Sequence, residues 1–165
     1  ILKRITTTPI KGWQFVGAEV LSRLVLNFFQ ISLILIIGKY VFDAHIYGNI
    51  FVIYLVSIVG ALLFQLMGFL IASVSKTTSA AEGMATAVTI PMMFLAGVFF
   101  PIDALPSWLY SVVQYLPLAP LLRIIRSVTL EGASPFADLN YVIIVLAWIL
   151  ASLIISVYRF RLSDE

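Results

Sequence analysis

The stretch IFVIYLVSIVGALLFQLMGFLIASV, Ile50 to Val74, contains no Asp, Glu, Lys or Arg. A helix rises about 1.5 Å per residue, so about 20 apolar residues cross a hydrocarbon layer of about 30 Å. Three further runs approach the same standard: AEVLSRLVLNFFQISLILII (Ala18–Ile37), MATAVTIPMMFLAGVFF (Met84–Phe100) and YVIIVLAWILASLIISVY (Tyr141–Tyr158). The last two reach a full span by borrowing a few flanking residues. All four are continuously apolar rather than alternating, which selects helices over the strands of a membrane barrel. Only 11% of residues are charged and 62% are hydrophobic, whereas soluble domains carry about a quarter charged residues. The expected fold class is therefore all-α integral membrane. It has four transmembrane helices, over 17–38, 50–75, 81–100 and 139–159, and a re-entrant or interfacial helical hairpin over 101–130. A segment over 1–16 precedes them at the interface.

Local signals place the helix ends. Ser79 and Glu82 have capping-box spacing, which predicts a helix starting near Ala80. Ser134 before Pro135 has the pattern of an N-cap followed by proline, leading into the fourth span. Pro91 lies inside the third span, where it removes a backbone donor and favours a kink. Gly68-x-x-x-Ala72 and Gly83-x-x-x-Ala87 have the spacing of close helix contacts, a pattern common by chance in membrane helices.

The formal net charge is +2, modest enough to reflect cytoplasmic loops rather than nucleic-acid binding. With the N-terminus inside, Lys3, Arg4, Lys11, Lys76, Arg159 and Arg161 lie on the cytoplasmic side. Lys39, Arg123 and Arg126 lie outside. Six against three satisfies the positive-inside rule, with Arg123 and Arg126 discordant. The chain has no cysteine and a single histidine, His45, in a loop. That excludes disulfides, thiolate chemistry and any histidine-pair metal site. The chain begins with Ile1, and a basic start runs into threonines rather than an apolar signal segment, which suggests a fragment.

The segment from Phe100 to Arg126 is apolar but cut by Pro101, Pro106, Pro117 and Pro120. Within it, Leu105, Leu109, Val112 and Leu116 recur at helical spacing. That predicts a helix of about 13 residues, roughly 20 Å and too short to cross. Asp103 is placed to cap it, Pro106 falls in its first turn and Pro117 ends it. A second short helix, LLRIIRSVTL, is expected after Pro120. Arg123 and Arg126 share a face there, suited to lipid headgroups. The segment reads either as an amphipathic hairpin sealing the outer end of the bundle or as an external gate.

Few polar residues interrupt the spans. Glu19 and Arg23, four apart, are placed for an ion pair or for coupling to a partner. Asn27, Gln30 and Gln65 suit hydrogen bonds between helices, or the lining of a substrate pathway. Lys3, Arg4 and Lys11 suit lipid headgroups or a protein partner. The HExxH and GxSxG motifs and the GxxxxGK[ST] phosphate loop are all absent from the sequence, so no catalytic or nucleotide-binding role is expected of this chain.

Three motifs resemble the membrane permeases of type-2 ABC exporters. LKRITTTPIKGW resembles the end of that family's cytoplasmic coupling region, with its Thr-Pro step at Thr8-Pro9. SVSKTTSAAEGMATAVTIPMMFLAGVFFPIDALPSWL is similar to the connection from the fourth span to the fifth. YLPLAPLLRIIR resembles the external helices before the last span. The acidic residue and glycine expected upstream of Leu2-Lys3-Arg4 are absent.

The resemblance implies the C-terminal two-thirds of a six-span permease, with these helices as spans three to six. It implies a second permease copy in a homodimer and an ATP-binding subunit on the cytoplasmic face, which would supply ATP and magnesium. It assigns Lys3, Arg4, Thr8, Pro9, Glu19 and Arg23 to coupling. Phe100, Pro101, Asp103, Pro106, Pro117, Arg123 and Arg126 become the external hairpin. The implied activity is export of a drug, lipid or glycan across a bacterial or archaeal plasma membrane, with lipid but no nucleic acid as a further partner. An ion-coupled secondary transporter and a non-transporting scaffold subunit stand as alternatives.

Overall fold

A computed structural model describes residues 12–99 and 105–161. Among the described residues there are six helices and no strands: α1 (Gly12–Tyr40), α2 (Ile50–Val74), α3 (Thr78–Leu95), α4 (Ser107–Val113), α5 (Leu118–Leu130) and α6 (Leu139–Arg161). The chain is an all-helical membrane protein. Three of its helices, α1 from Ala18, α2, and α6 to Ser156, are long and apolar enough to cross a membrane unaided. The α4–α5 pair, bent by 84°, passes the same test only if the two are taken together. The third expected span, 81–100, is represented by the 18-residue α3, which does not pass by itself.

The fold is organised around α2, which packs against α1, α3, α5 and α6. Its buried face, Ile53, Val56 and Leu63, meets Leu121, Ile124 and Val128 of α5 and Val145 of α6. These α5 positions are spaced by three and four residues, so they form one stripe down the helix. A second, smaller core belongs to the hairpin: Ala96 and Val113 with Ala119, bordered by Leu105, Leu109 and Leu116.

Two glycines fix how closely α5 lies on this frame. A Cβ added at Gly60 would come within 2.7 Å of Leu121 Cδ2, and one added at Gly48 would collide with the Val128 carbonyl oxygen. Tyr47 N donates to Thr129 O at 3.0 Å beside it. So α5 runs antiparallel to α2, with its C-terminal end at the start of α2 and its N-terminal end about 15 Å further along, at Gly60. Gly68 and Gly83, whose spacing permits close contacts but is common by chance, have nothing within 4 Å of an added Cβ. Small residues in a membrane helix serve packing only where another backbone or a bulky side chain arrives.

Several local expectations are corrected. The cap of α3 is Thr77, whose Oγ1 accepts from Ala80 N at 3.2 Å, so Ser79 and Glu82 fall inside the helix. Either hydroxyl can cap, and Thr77 does so two residues earlier. Ser134 does not begin α6. Its Oγ accepts from Phe136 N and its carbonyl from Ala137 N, closing a local turn, and the helix starts at Leu139. Such side-chain turns compete with helix initiation. The first hairpin helix is 7 residues rather than about 13, and Pro106 precedes it at the cap position instead of lying in its first turn. Pro117 does not end that helix but heads α5, with Pro120 in the first turn. Val113 is buried where the stripe named Val112, which is 59% exposed, while Leu105, Leu109 and Leu116 pack on the core as expected. Helix α3 remains continuous through Pro91.

Gly48→Ala should cost about 1–3 kcal/mol, since a Cβ there displaces backbone rather than a flexible side-chain tip. Thermal unfolding in detergent should show a lowered midpoint for Gly48→Ala, with Gly68→Ala and Gly83→Ala close to wild type. Equal midpoints for all three would refute the docking of the α1–α2 loop on α5.

Candidate functional site

Two features stand apart from simple helix packing: a polar cleft between α1 and α2, and the α4–α5 hairpin. The cleft begins with the register of α1. Glu19, Arg23, Asn27 and Gln30 fall within roughly 80° of one another on a helix turning about 100° per residue. Arg23 Nε donates to Glu19 Oε1 at 2.7 Å, with both side chains exposed. One turn further on, Asn27 is half-buried against α2.

Facing them, α2 contributes Ala61, Phe64 and Gln65. Together with Arg23, Leu26, Asn27 and Gln30 they line an open groove of about 450 Å³. Neither Gln65 Oε1 nor Gln65 Nε2 is exposed, and neither has a hydrogen-bond partner among the described residues. In an apolar environment an unpaired amide costs on the order of several kcal/mol. The structure thus brings Arg23, Asn27, Gln30 and Gln65, all singled out from the sequence, to one place. The cleft is lined by three carboxamide residues and by Arg23, which pairs with Glu19 one turn back, with apolar walls at Leu26 and Phe64.

Across the same helix pair, the Ser32 and Tyr54 hydroxyls share a hydrogen bond of 2.6 Å, and the Tyr54 ring stacks on Phe28 with centroids 5.0 Å apart. This tie was not anticipated. Its only sequence signal is a hydroxyl and a phenol in otherwise apolar runs, each needing a partner in lipid.

The hairpin is tied to the frame at three points. Arg126 Nη2 donates to the carbonyl of Gly97 at 2.6 Å, joining α5 to the turn after α3. Arg123 lies over the Tyr141 ring at 5.6 Å from its centroid, at the head of α6. Trp148 Nε1 donates to the Tyr115 carbonyl at 2.8 Å, joining α6 to the α4–α5 corner. Arg123 and Arg126 thus engage protein on two sides of α5 as well as remaining solvent- or headgroup-accessible. A second cleft of about 390 Å³ lies beside that corner, lined by Gln114, Tyr115, Asp138, Asn140 and Tyr141 among others. Gly97 takes a φ of 86°, open to glycine without penalty. Trp148 and Gly97 were not foreseen as hairpin contacts, since nothing local marks a partner so distant in sequence.

Of the remaining expected site residues, Lys3, Arg4, Thr8 and Pro9 lie outside the described residues, as do Phe100, Pro101 and Asp103. Among the described residues, no group of three or more His, Cys, Asp or Glu side chains is placed to hold a metal ion.

The comparisons with known proteins agree with one another. The family model for the ABC-2 type transporter matches residues 1–130. ABC transporter G family member 20 of Dictyostelium discoideum is 25% identical over 166 residues, covering 99% of this chain and 23% of that protein. A probable multidrug ABC transporter permease of Escherichia coli strain K12, YbhR, is 23% identical over 133 residues, covering 81% of this chain and 36% of that protein. The chain therefore spans a minor part of the length of these relatives. No solved structure matches it significantly.

The chain lacks cysteine, so single cysteines report cleanly. Asn27→Cys and Gln30→Cys should react with a hydrophilic methanethiosulfonate faster than Phe29→Cys, by about an order of magnitude or more, because the reactive thiolate needs water. Phe29 is 66% exposed in the isolated chain but lies on the apolar side of α1. Equal rates would mean the cleft is no wetter than the rest of α1.

Proposed function

Because the chain belongs to the ABC-2 type transporter family, we propose that it is the membrane-spanning permease part of an ATP-driven exporter. The match over residues 1–130, from the basic N-terminal segment through both hairpin helices, carries this conclusion. ATP and magnesium belong to a partner subunit, docked on the cytoplasmic side near Lys3, Arg4, Thr8 and Pro9. A second permease copy completes the pathway, in a cell membrane. Nucleotide-driven movement of that docking segment passes into α1 at the Glu19–Arg23 pair. The polar face at Asn27, Gln30 and Gln65 lies on the route of the cargo.

The hairpin from Phe100 to Arg126 is an external gate. Arg126 ties it to the turn after α3, and Trp148 ties its corner to α6. The cargo is an amphipathic drug, lipid or glycan-bearing lipid, in keeping with a cleft that mixes carboxamides and apolar walls. An ion-coupled secondary transporter would bury ionisable residues in its spans, and α2 has none.

Affinity purification of the assembly from gently solubilised membranes should bring down a stoichiometric P-loop ATPase, lost when Lys3 and Arg4 are both changed to Glu. Recovery of the permease without any ATPase, under conditions that keep other ABC complexes intact, would count against ATP coupling. Pro117→Ala should lower transport more than membrane insertion. An equal loss of both would reduce the hairpin to a structural plug.

A further inference from the structure

Two grooves beside α6 join into one amphipathic furrow. The polar groove at the α4–α5 corner, with Gln114, Asp138, Asn140 and Tyr141 in its lining, shares Tyr115, Ile143 and Ile144 with a second open groove of about 410 Å³. The second groove continues down α6 past Ala147, Trp148 and Ala151. On a helix turning about 100° per residue, Asn140, Ile143, Ile144, Ala147 and Ala151 share one face roughly 100° wide. Alanine at two of these positions leaves room that a larger side chain would fill. The Trp148 Nε1 bond to the Tyr115 carbonyl, 2.8 Å, pins the hairpin corner to α6 where the two grooves meet.

Polarity changes once along the furrow, and it does so with depth in the membrane. The acidic and carboxamide side chains lie at the head of α6, where the span begins at Leu139, and the lining below them is apolar. From Asp138 to Ala151 the helix rises about 20 Å. One leaflet has the same depth: half of a hydrocarbon core of roughly 30 Å, plus part of the head-group layer. A transmembrane helix seated here would set apolar side chains against the polar half. A small polar ligand would leave the apolar half empty. A phospholipid supplies a head and a chain at the matching heights.

Charge then selects the head. Arg123 lies 5.6 Å from the centroid of the Tyr141 ring, and Tyr141 lines the polar groove together with Asp138. The one ion pair among the described residues is that of Glu19 with Arg23. Arg123 and Asp138 therefore have no oppositely charged partner among those residues, and both are exposed. An anionic head would match Arg123 but meet Asp138, and a cationic head would do the reverse. A zwitterionic head matches both. Its ammonium pairs with Asp138 beside the Tyr115 ring, and its phosphate pairs with Arg123.

We propose that the furrow between the α4–α5 corner and α6 holds a resident bilayer phospholipid with a zwitterionic head. Its acyl chain runs along Ile143, Ala147 and Ala151. The assignment rests on the chain spanning a bilayer and is independent of what the protein transports.

The test uses the complete transporter assembly in nanodiscs of digalactosyldiacylglycerol, an uncharged bilayer lipid. Three trace probes carry the same diazirine-tagged acyl chain on a phosphatidylcholine, a phosphatidylglycerol or a trimethylammonium-propane head. Photolabelling by the phosphatidylcholine probe should concentrate in the peptides containing Tyr115 and residues 143–151. It should exceed labelling by either other probe about fivefold, the scale of one interfacial charge. Asp138→Asn should bring the phosphatidylglycerol probe level with phosphatidylcholine, and Arg123→Gln should do so for the trimethylammonium probe. A merely structural role for either residue would lower all three together. Ala147→Phe, which fills the apolar half, should remove labelling of α6 by every probe and gives a further variant should the charge variants fail to accumulate.

Equal labelling by the three probes overturns the assignment. So does a head-group preference unchanged in folded Asp138→Asn and Arg123→Gln, or labelling of α6 that survives Ala147→Phe. Efficient cross-linking of Ala147→Cys to a second copy, without lipid labelling, would show that protein covers the furrow instead. Labelling that falls as ATP is hydrolysed, with the probe appearing in the opposite leaflet, would make the lipid cargo rather than resident.

Discussion

Polar atoms inside a hydrocarbon layer must find partners within the protein, and most of this structure follows from that requirement. The helices satisfy their own backbones, which leaves side chains and helix ends as the groups still needing partners. Ser22 and Ser32 return their hydroxyl protons to the carbonyls of Ala18 and Phe28 one turn back. Tyr54 takes up Ser32. Trp148 reaches out of α6 to the one corner where a helix has just ended. Gln65, Thr129, Ser152 and Ser156 depart from this pattern, each with a buried side-chain polar atom that has no partner among the described residues.

Helix α2 connects the two functional features. The residues that meet α5 and α6 (Ile53, Val56, Gly60 and Leu63) and those that meet the cleft (Ala61, Phe64 and Gln65) occupy adjoining faces, centred about 100° apart around the helix. Leu121 of α5 presses on Gly60, one residue from Ala61. A shift of α5 against α2 therefore reaches a cleft-lining position without an intermediate helix. The packing is tight at that point, so displacement of one helix must be answered by the other. This contact is the shortest physical route between the hairpin and the cleft among the described residues.

The sequence made the spans and the polar residues legible because each rests on a local pattern. Continuous apolar runs announce helices in lipid, and Glu19, Arg23, Asn27 and Gln30 share a face by arithmetic alone. Gln65 was visible as a polar interruption, but its meeting with α1 depends on helix pairing, which no spacing within α2 encodes. The closely packed glycine was not legible for the same reason: Gly68 and Gly83 carry the familiar spacing, whereas Gly60 is the one that Leu121 approaches. The cap of α3 and the start of α6 moved by a few residues because several Ser and Thr side chains compete to close the same turn. The ties of Arg126 to Gly97 and of Trp148 to Tyr115 join residues 29 and 33 positions apart, beyond any periodicity argument.

The prolines of the hairpin have a different meaning in space from the one they have in sequence. In sequence they break an apolar run. In the fold, Pro117 and Pro120 lie at the buried head of α5, where both are almost wholly enclosed. A helix N-terminus leaves its first four N–H groups without intrahelical partners, which is tolerable in water and costly among apolar side chains. Proline has no N–H to leave unpaired. Pro120 deletes one of the four, Ala119 N finds Leu116 O at 3.2 Å, and the Tyr115 carbonyl at the same corner is taken by Trp148. The proline pair therefore lets a helix begin deep in the packing with fewer donors to satisfy. An apolar segment bent by 84° between two helices needs such a corner, and the ring that prevents a straight helix is the same ring that removes the donor.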